Sequence, residues 1–252
     1  MEVLQQDVNQ LRKSALIAGI SLLIMTVAAF FSFGYVHSSL MISNSSIETF
    51  NNISASTGLF RAGILGWLVI LITDILVSWA FYIFLKPIHE GYATLAAWLR
   101  LMYTAILAIA VSNLIQVDNL IKYNNELLNQ PDSLLASDVM MSVLAFESVW
   151  SFGLIVFGMH LLIVGFVVSK TKTVPKIISI LLVLGGASYM LVHLLDGFFP
   201  TLENVTSTIE MILMIPMTAG ELGFCIWLLM KGGKTPIKSY STRKANNNAA
   251  QI

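Results

Sequence analysis

The chain has 252 residues, of which 56% are hydrophobic and only 11% charged, and its mean hydropathy is +0.79. A soluble domain carries about 25% charged residues, so this composition excludes an ordinary soluble domain, a disordered chain, a nucleic-acid binder and a fibrous protein. Formal net charge is zero, and the single cysteine, Cys225, permits no intrachain disulfide and no zinc-type Cys/His spacing.

A membrane-crossing helix needs about 20 predominantly apolar residues at 1.5 Å rise each. Six stretches qualify: 14–36, 60–85, 91–116, 138–168, 175–197 and 207–230. The first follows Arg12 and Lys13 like a signal peptide, but its apolar run exceeds the roughly 7–15 residues of a signal core, so it reads as an uncleaved span. The expected fold class is therefore all-α, a polytopic membrane helix bundle of six transmembrane helices. Its organisation is a short segment 1–13, a transmembrane domain 14–230 and a tail 231–252.

Six spans put both termini on one side. That side collects Arg12, Lys13, Lys86, Lys170, Lys172, Lys176 and the basic residues from Lys231 to Lys244, whereas the other holds Arg61 and Lys122. The positive-inside bias makes both termini cytoplasmic. The tail after Lys231 is rich in Gly, Lys and Asn, has no apolar period and is expected to be disordered. The expected partners are the lipid bilayer itself and, at the basic tail, anionic lipid headgroups. The loop after the third span repeats apolar pairs at Leu120-Ile121, Leu127-Leu128 and Leu134-Leu135, with Pro131-Asp132-Ser133 between the last two. This predicts a helical extension of span three, a break, and a fresh N-cap into span four.

A charged side chain in mid-bilayer costs about 2.5–3.5 kcal/mol on insertion scales, so each one in a span is expected to face the interior and have a partner. Asp74 and Glu221 lie near the middles of spans two and six, and Arg100 lies about 6 Å to the cytoplasmic side of the middle of span three. These three are the binding candidates: one cluster of two anions around one cation. An outer polar layer is expected from Glu147, His193 and Asp196, the last two sharing a helix face. It could relay protons, but one imidazole and two carboxylates are a poor zinc set, and no metal or cofactor is expected. His160 is too far along its helix from Glu147 to share a site with it and reads as a satisfied structural histidine.

Small and polar residues recur at helical spacing in span four (Ser151, Gly158, Gly165) and span five (Ser179, Gly186, Tyr189), which predicts that the two pack closely. Pro216, five residues before Glu221, is a break-prone point in span six. Nucleophile-elbow, zinc-protease, phosphate-loop and dinucleotide motifs are absent.

Several local patterns occur in order along the chain: Arg61-Ala-Gly ahead of Asp74, Leu95-Ala-Ala-Trp-Leu-Arg100, Gly153-Leu-Ile-Val-Phe-Gly-Met-His160, Val174-Pro-Lys176, Leu184-Gly-Gly-Ala-Ser-Tyr189, Gly220-Glu-Leu and Trp227-Leu-Leu-Met-Lys-Gly232. Together they resemble a bacterial membrane family known only as a domain of unknown function, number four-three-eight-six. The resemblance covers nearly the whole chain. It implies a bacterial inner-membrane protein and puts Arg100, His160 and Glu221 on the family's motif positions, but it supplies no activity.

Three functions compete on these residues. The Asp74, Arg100 and Glu221 cluster could bind or transport a small molecule or ion. The same polar residues could instead be register-fixing pins in a structural or regulatory membrane protein. An intramembrane enzyme using Glu147, His193 and Asp196 ranks below both, because no catalytic motif accompanies them.

Overall fold

The computed structural model describes residues 2–124 and 131–234, and among these no strand occurs. Helix α1 (Glu2–Ala29) continues as a π-helical stretch, Phe30–His37, and ends with Ser38–Leu40. The remaining helices are α2 (Ser46–Ala55), α3 (Thr57–Leu85), α4 (Glu90–Tyr123), α5 (Asp132–Ser169), α6 (Lys176–Phe198) and α7 (Glu203–Met230). Among the described residues, six helices are long and apolar enough to cross a membrane: Asn9–Leu40, Thr57–Leu85, Glu90–Tyr123, Asp132–Ser169, Lys176–Phe198 and Asn204–Met230. The chain is thus an all-helical, multi-pass membrane protein.

Helices α4 and α5 each outrun their hydropathy spans at one end. At 1.5 Å per residue the 38-residue α5 is about 57 Å long, whereas a hydrocarbon core is about 30 Å thick. Asp132 sits in its first turn, and the Pro131 carbonyl accepts the amides of Leu134 and Leu135, so the helix starts six residues before the apolar span does. Span three likewise extends to Tyr123. The Leu127-Leu128 pair lies outside the described residues, as does the tail beyond Lys234. Helix α2, in the loop after the first span, was not anticipated. Its signal was present: Ser45 caps it by accepting the Glu48 amide at 3.4 Å, a Ser-x-x-Glu start. Pro216 lies within α7, which runs through it without changing helix type.

The described chain divides into two compact units. The first holds residues 2–23, 74–103 and 154–234. Glycine makes its close packing possible. A Cβ on Gly158 would lie 2.6 Å from the Gly186 carbonyl oxygen, and one on Gly186 would lie 2.6 Å from that of Gly158, so α5 and α6 meet backbone to backbone as their small-residue stripes predict. A Cβ on Gly220 would lie 2.8 Å from the Leu181 carbonyl oxygen, and one on Gly185 2.9 Å from that of Pro216, which seats α7 on α6. At the end of α7, Arg12 donates to the carbonyls of Leu228, Leu229 and Gly232 at 3.0, 2.7 and 2.8 Å. A guanidinium is a suitable cap there, because the last helical carbonyls lack partners and carry partial negative charge.

The second unit holds residues 24–73, 104–124 and 131–153. Ser32 in the π-helical stretch donates to the Gly63 carbonyl at 3.0 Å. Trp67, Phe146 and Trp150 form an edge-and-stack cluster with centroids 5.1–5.7 Å apart, and Phe33 meets Trp150 at 4.8 Å. Arg61 pairs with Asp118 at 2.7 Å.

Candidate functional site

The Leu95-Ala-Ala-Trp-Leu-Arg100 stretch of α4 builds the centre of the first unit. Ala96 and Ala97 are buried and small, so side chains from neighbouring helices reach their carbonyls. Ser78 of α3 donates to the Ala97 carbonyl at 2.8 Å, one turn beyond Asp74. His160 of α5 bonds the Ala96 carbonyl through Nδ1 at 2.8 Å. These two bonds bring α3 and α5 to α4 at the level of Arg100.

Arg100 is wholly buried, and its guanidinium contacts three other helices. Nε and Nη2 both donate to Asp74 Oδ1, at 2.8 and 2.6 Å. Nη1 donates to Glu221 Oε1 of α7 at 3.0 Å and lies 3.3 Å from His160 Nε2. The rings of Phe81 and Phe157 lie 5.8 and 5.4 Å from its central carbon, within cation–π range.

The donor and acceptor rules assign the histidine. A carbonyl only accepts and a guanidinium only donates. Nδ1 of His160 therefore carries the hydrogen and Nε2 accepts from Arg100, so the imidazole is neutral. The cluster then holds one cation and two carboxylates. Asp74 is fully buried, yet its Oδ2 accepts no hydrogen bond, because both Arg100 donors converge on Oδ1. Glu221 retains 20% side-chain exposure.

The structure brings Asp74, Arg100 and Glu221 together and adds His160 to them. Sequence reasoning set His160 apart, having compared it only with other histidines and with Glu147. The missed signal was depth: Arg100 lies ten residues into α4 from Glu90, and His160 nine residues before α5 ends at Ser169. Adjacent helices running in opposite directions put those positions level.

Of the expected outer layer, Glu147 lies in the second unit and His193 and Asp196 in the first. Glu147 bonds His37 Nε2 at 2.9 Å within the second unit. His37 stacks on Phe33 at 5.0 Å, and its Nδ1 is buried without a hydrogen-bond partner. His193 and Asp196, three residues apart on α6, share a helix face. Tyr189 stacks on His193 at 6.1 Å. His37 was not among the candidates because it falls just past the first span, 14–36, as hydropathy sets it. Among the described residues, no group of three His, Cys, Asp or Glu side chains is placed to hold a metal ion.

Six membrane-length helices with a fully buried arginine held by two carboxylates define a polytopic membrane protein with an intramembrane charge cluster. The chain belongs to the family described as Domain of unknown function (DUF4386), whose model matches residues 17–232. An uncharacterized protein of Archaeoglobus fulgidus is similar to it, with 28% identity over 173 residues, covering 68% of this chain and 84% of that protein. No solved structure matches the chain.

Proposed function

We propose that the protein binds and exchanges a proton or small cation at the Asp74, Arg100, Glu221 and His160 cluster, as part of a binding or transport role within the membrane. The observation that carries this reading is the unbonded Oδ2 of Asp74. With a neutral His160, two carboxylates share one guanidinium, so the fully ionised cluster has a net charge of −1. An ionised carboxylate oxygen buried without a donor is costly, by about 1–3 kcal/mol or more. A proton or small cation at that oxygen would remove both the excess charge and the missing bond. The partial exposure of Glu221 supports an approach to the cluster from its side.

The membrane is read as a bacterial inner membrane, with both termini cytoplasmic and the basic tail against anionic headgroups. The asymmetry of Lys and Arg between the loops supports that orientation.

A structural pin is the competing reading, favoured by the enclosure of Arg100 between Phe81 and Phe157. Infrared difference spectroscopy on the purified protein separates the two, because a protonated buried carboxyl has a C=O stretch that shifts in heavy water. An exchanging site predicts a carboxyl band that appears and disappears reversibly with pH. The band is lost in Asp74→Asn and displaced in Glu221→Gln, with both variants folded. A silent wild-type spectrum, together with unfolding of both variants, makes the cluster a pin and removes the exchange function.

A further inference from the structure

Two loops of the first unit, 86–89 between α3 and α4 and 170–175 between α5 and α6, border a cleft of about 1030 Å³ together with the adjoining helix ends. Its walls carry Lys86, Lys170, Lys172 and Lys176 but only one carboxylate, that of Glu90. Glu90 is committed to Lys86 at 3.1 Å, and this hydrogen bond raises the Lys86 pKa above the ordinary lysine value. Lys170 is positioned by aromatic faces, 5.1 Å from the Tyr92 centroid and 4.3 Å from that of Phe166, which orient its charge without cancelling it. Lys172 and Lys176 are exposed and have no ion-pair partner among the described residues. Four ammonium groups against one carboxylate leave the cleft with a formal charge of +3.

Two further donors face the same region. His89 accepts the Tyr92 amide at Nδ1, at 3.3 Å, which makes its Nε2 the hydrogen-bearing nitrogen. Helix α6 begins at Lys176 with Pro175 at its N-cap and no side-chain cap, so its first amides add partial positive charge at the rim.

We propose that this cleft is a binding site for a phosphate-bearing anion, carried either by an anionic phospholipid headgroup or by a soluble phosphate compound. Unneutralised like charges crowded in one concavity repel, and a phosphate entering it would take up the free donors of Lys172, Lys176 and His89. Basic pockets between membrane helices on the cytoplasmic side bind anionic phospholipid headgroups. Ile177 and Ile180, 61% and 53% exposed, follow Lys176 on α6 and offer apolar surface for acyl chains. This site is independent of the buried cluster and stands whether or not that cluster exchanges protons.

The test is calorimetric titration of the purified full chain in a neutral detergent with dioctanoyl phosphatidylglycerol, dioctanoyl phosphatidylcholine and inorganic phosphate. An anion bound in the cleft should bind Lys172→Gln/Lys176→Gln about 30-fold more weakly than wild type, and either single variant about 5-fold more weakly. Lys172→Arg/Lys176→Arg should retain binding, and Lys122→Gln, in the other unit, should not alter it. If phosphatidylglycerol alone behaves this way, the source is lipid. If inorganic phosphate does so too, the phosphate group suffices. Equal binding of both anions to wild type and the double Gln variant overturns the site. Equal loss in Lys122→Gln, or phosphatidylcholine binding as tightly as phosphatidylglycerol, overturns it as well. The single variants decide the matter if the double variant does not fold.

Discussion

Arg100 spends its donors unevenly. Two go to one oxygen of Asp74, one to Glu221, and the imidazole of His160 shares the Nη1 side. Removing one member of a buried ion pair leaves an uncompensated charge and typically costs about 3–5 kcal/mol. Arg100→Leu strands two carboxylates at once. It should therefore unfold at lower temperature or denaturant than Arg100→Leu/Asp74→Leu, which strands only one. The double-mutant cycle should return a coupling well above the roughly 0.5 kcal/mol scatter expected of independent sites. Additive losses across that cycle would contradict the pairing energetics. The same geometry explains why Asp74 and Glu221 are not equivalent: Asp74 is sealed and half bonded, whereas Glu221 is partly open.

Between elements, packing in the first unit is decided by where side chains are missing. Gly158 and Gly186 let the backbones of α5 and α6 touch, and Gly220 does the same for α7 against α6. A larger side chain has nowhere to go when the opposing atom is a backbone carbonyl, and overpacking of this kind costs about 1–3 kcal/mol. Gly158→Leu should lower the thermal midpoint of the purified protein. Gly223→Ala, whose Cβ would meet nothing within 4 Å, should leave it unchanged or raise it, since Ala favours a helix by about 1 kcal/mol over Gly. Equal losses in the two variants would show that proximity at Gly158 is not what matters. In the second unit the π-helical stretch Phe30–His37 carries Ser32 and His37, whose partners are Gly63 and Glu147. An extra residue in a helical turn rotates everything beyond it, so π segments commonly mark functional positions.

For the molecule as a whole, orientation is a matter of charge outside the spans. Topology reporters fused at Ser46 and Asn204 should read as external, and those at Ser169 and Lys234 as cytoplasmic. The opposite pattern at Ser169 and Lys234 would reverse the orientation argued from the lysines and arginines. It would also move the basic cleft to the far side of the membrane. The cleft and the buried cluster lie in the same unit, yet they draw on different chemistry: exposed lysines in one, a sealed guanidinium in the other.

By itself the sequence determined the number and place of the spans, because hydropathy is a local property summed over about 20 residues and the bilayer sets the length. It also singled out Asp74, Arg100 and Glu221, since charges in apolar spans are expensive enough to demand partners. Tertiary structure alone decided the rest. Which face of each helix turns inward depends on rotation about its axis, and small residues such as Ala96, Ala97 and Gly158 set that rotation only once a neighbour is present. Hence His160 joined the cluster unforeseen, while Glu147 found His37 at the end of the first span. The ends of α4 and α5 beyond the apolar spans were legible from a second local signal: the paired apolar residues after span three and the Pro131-Asp132-Ser133 break mark a helical extension and a fresh start where hydropathy alone stops.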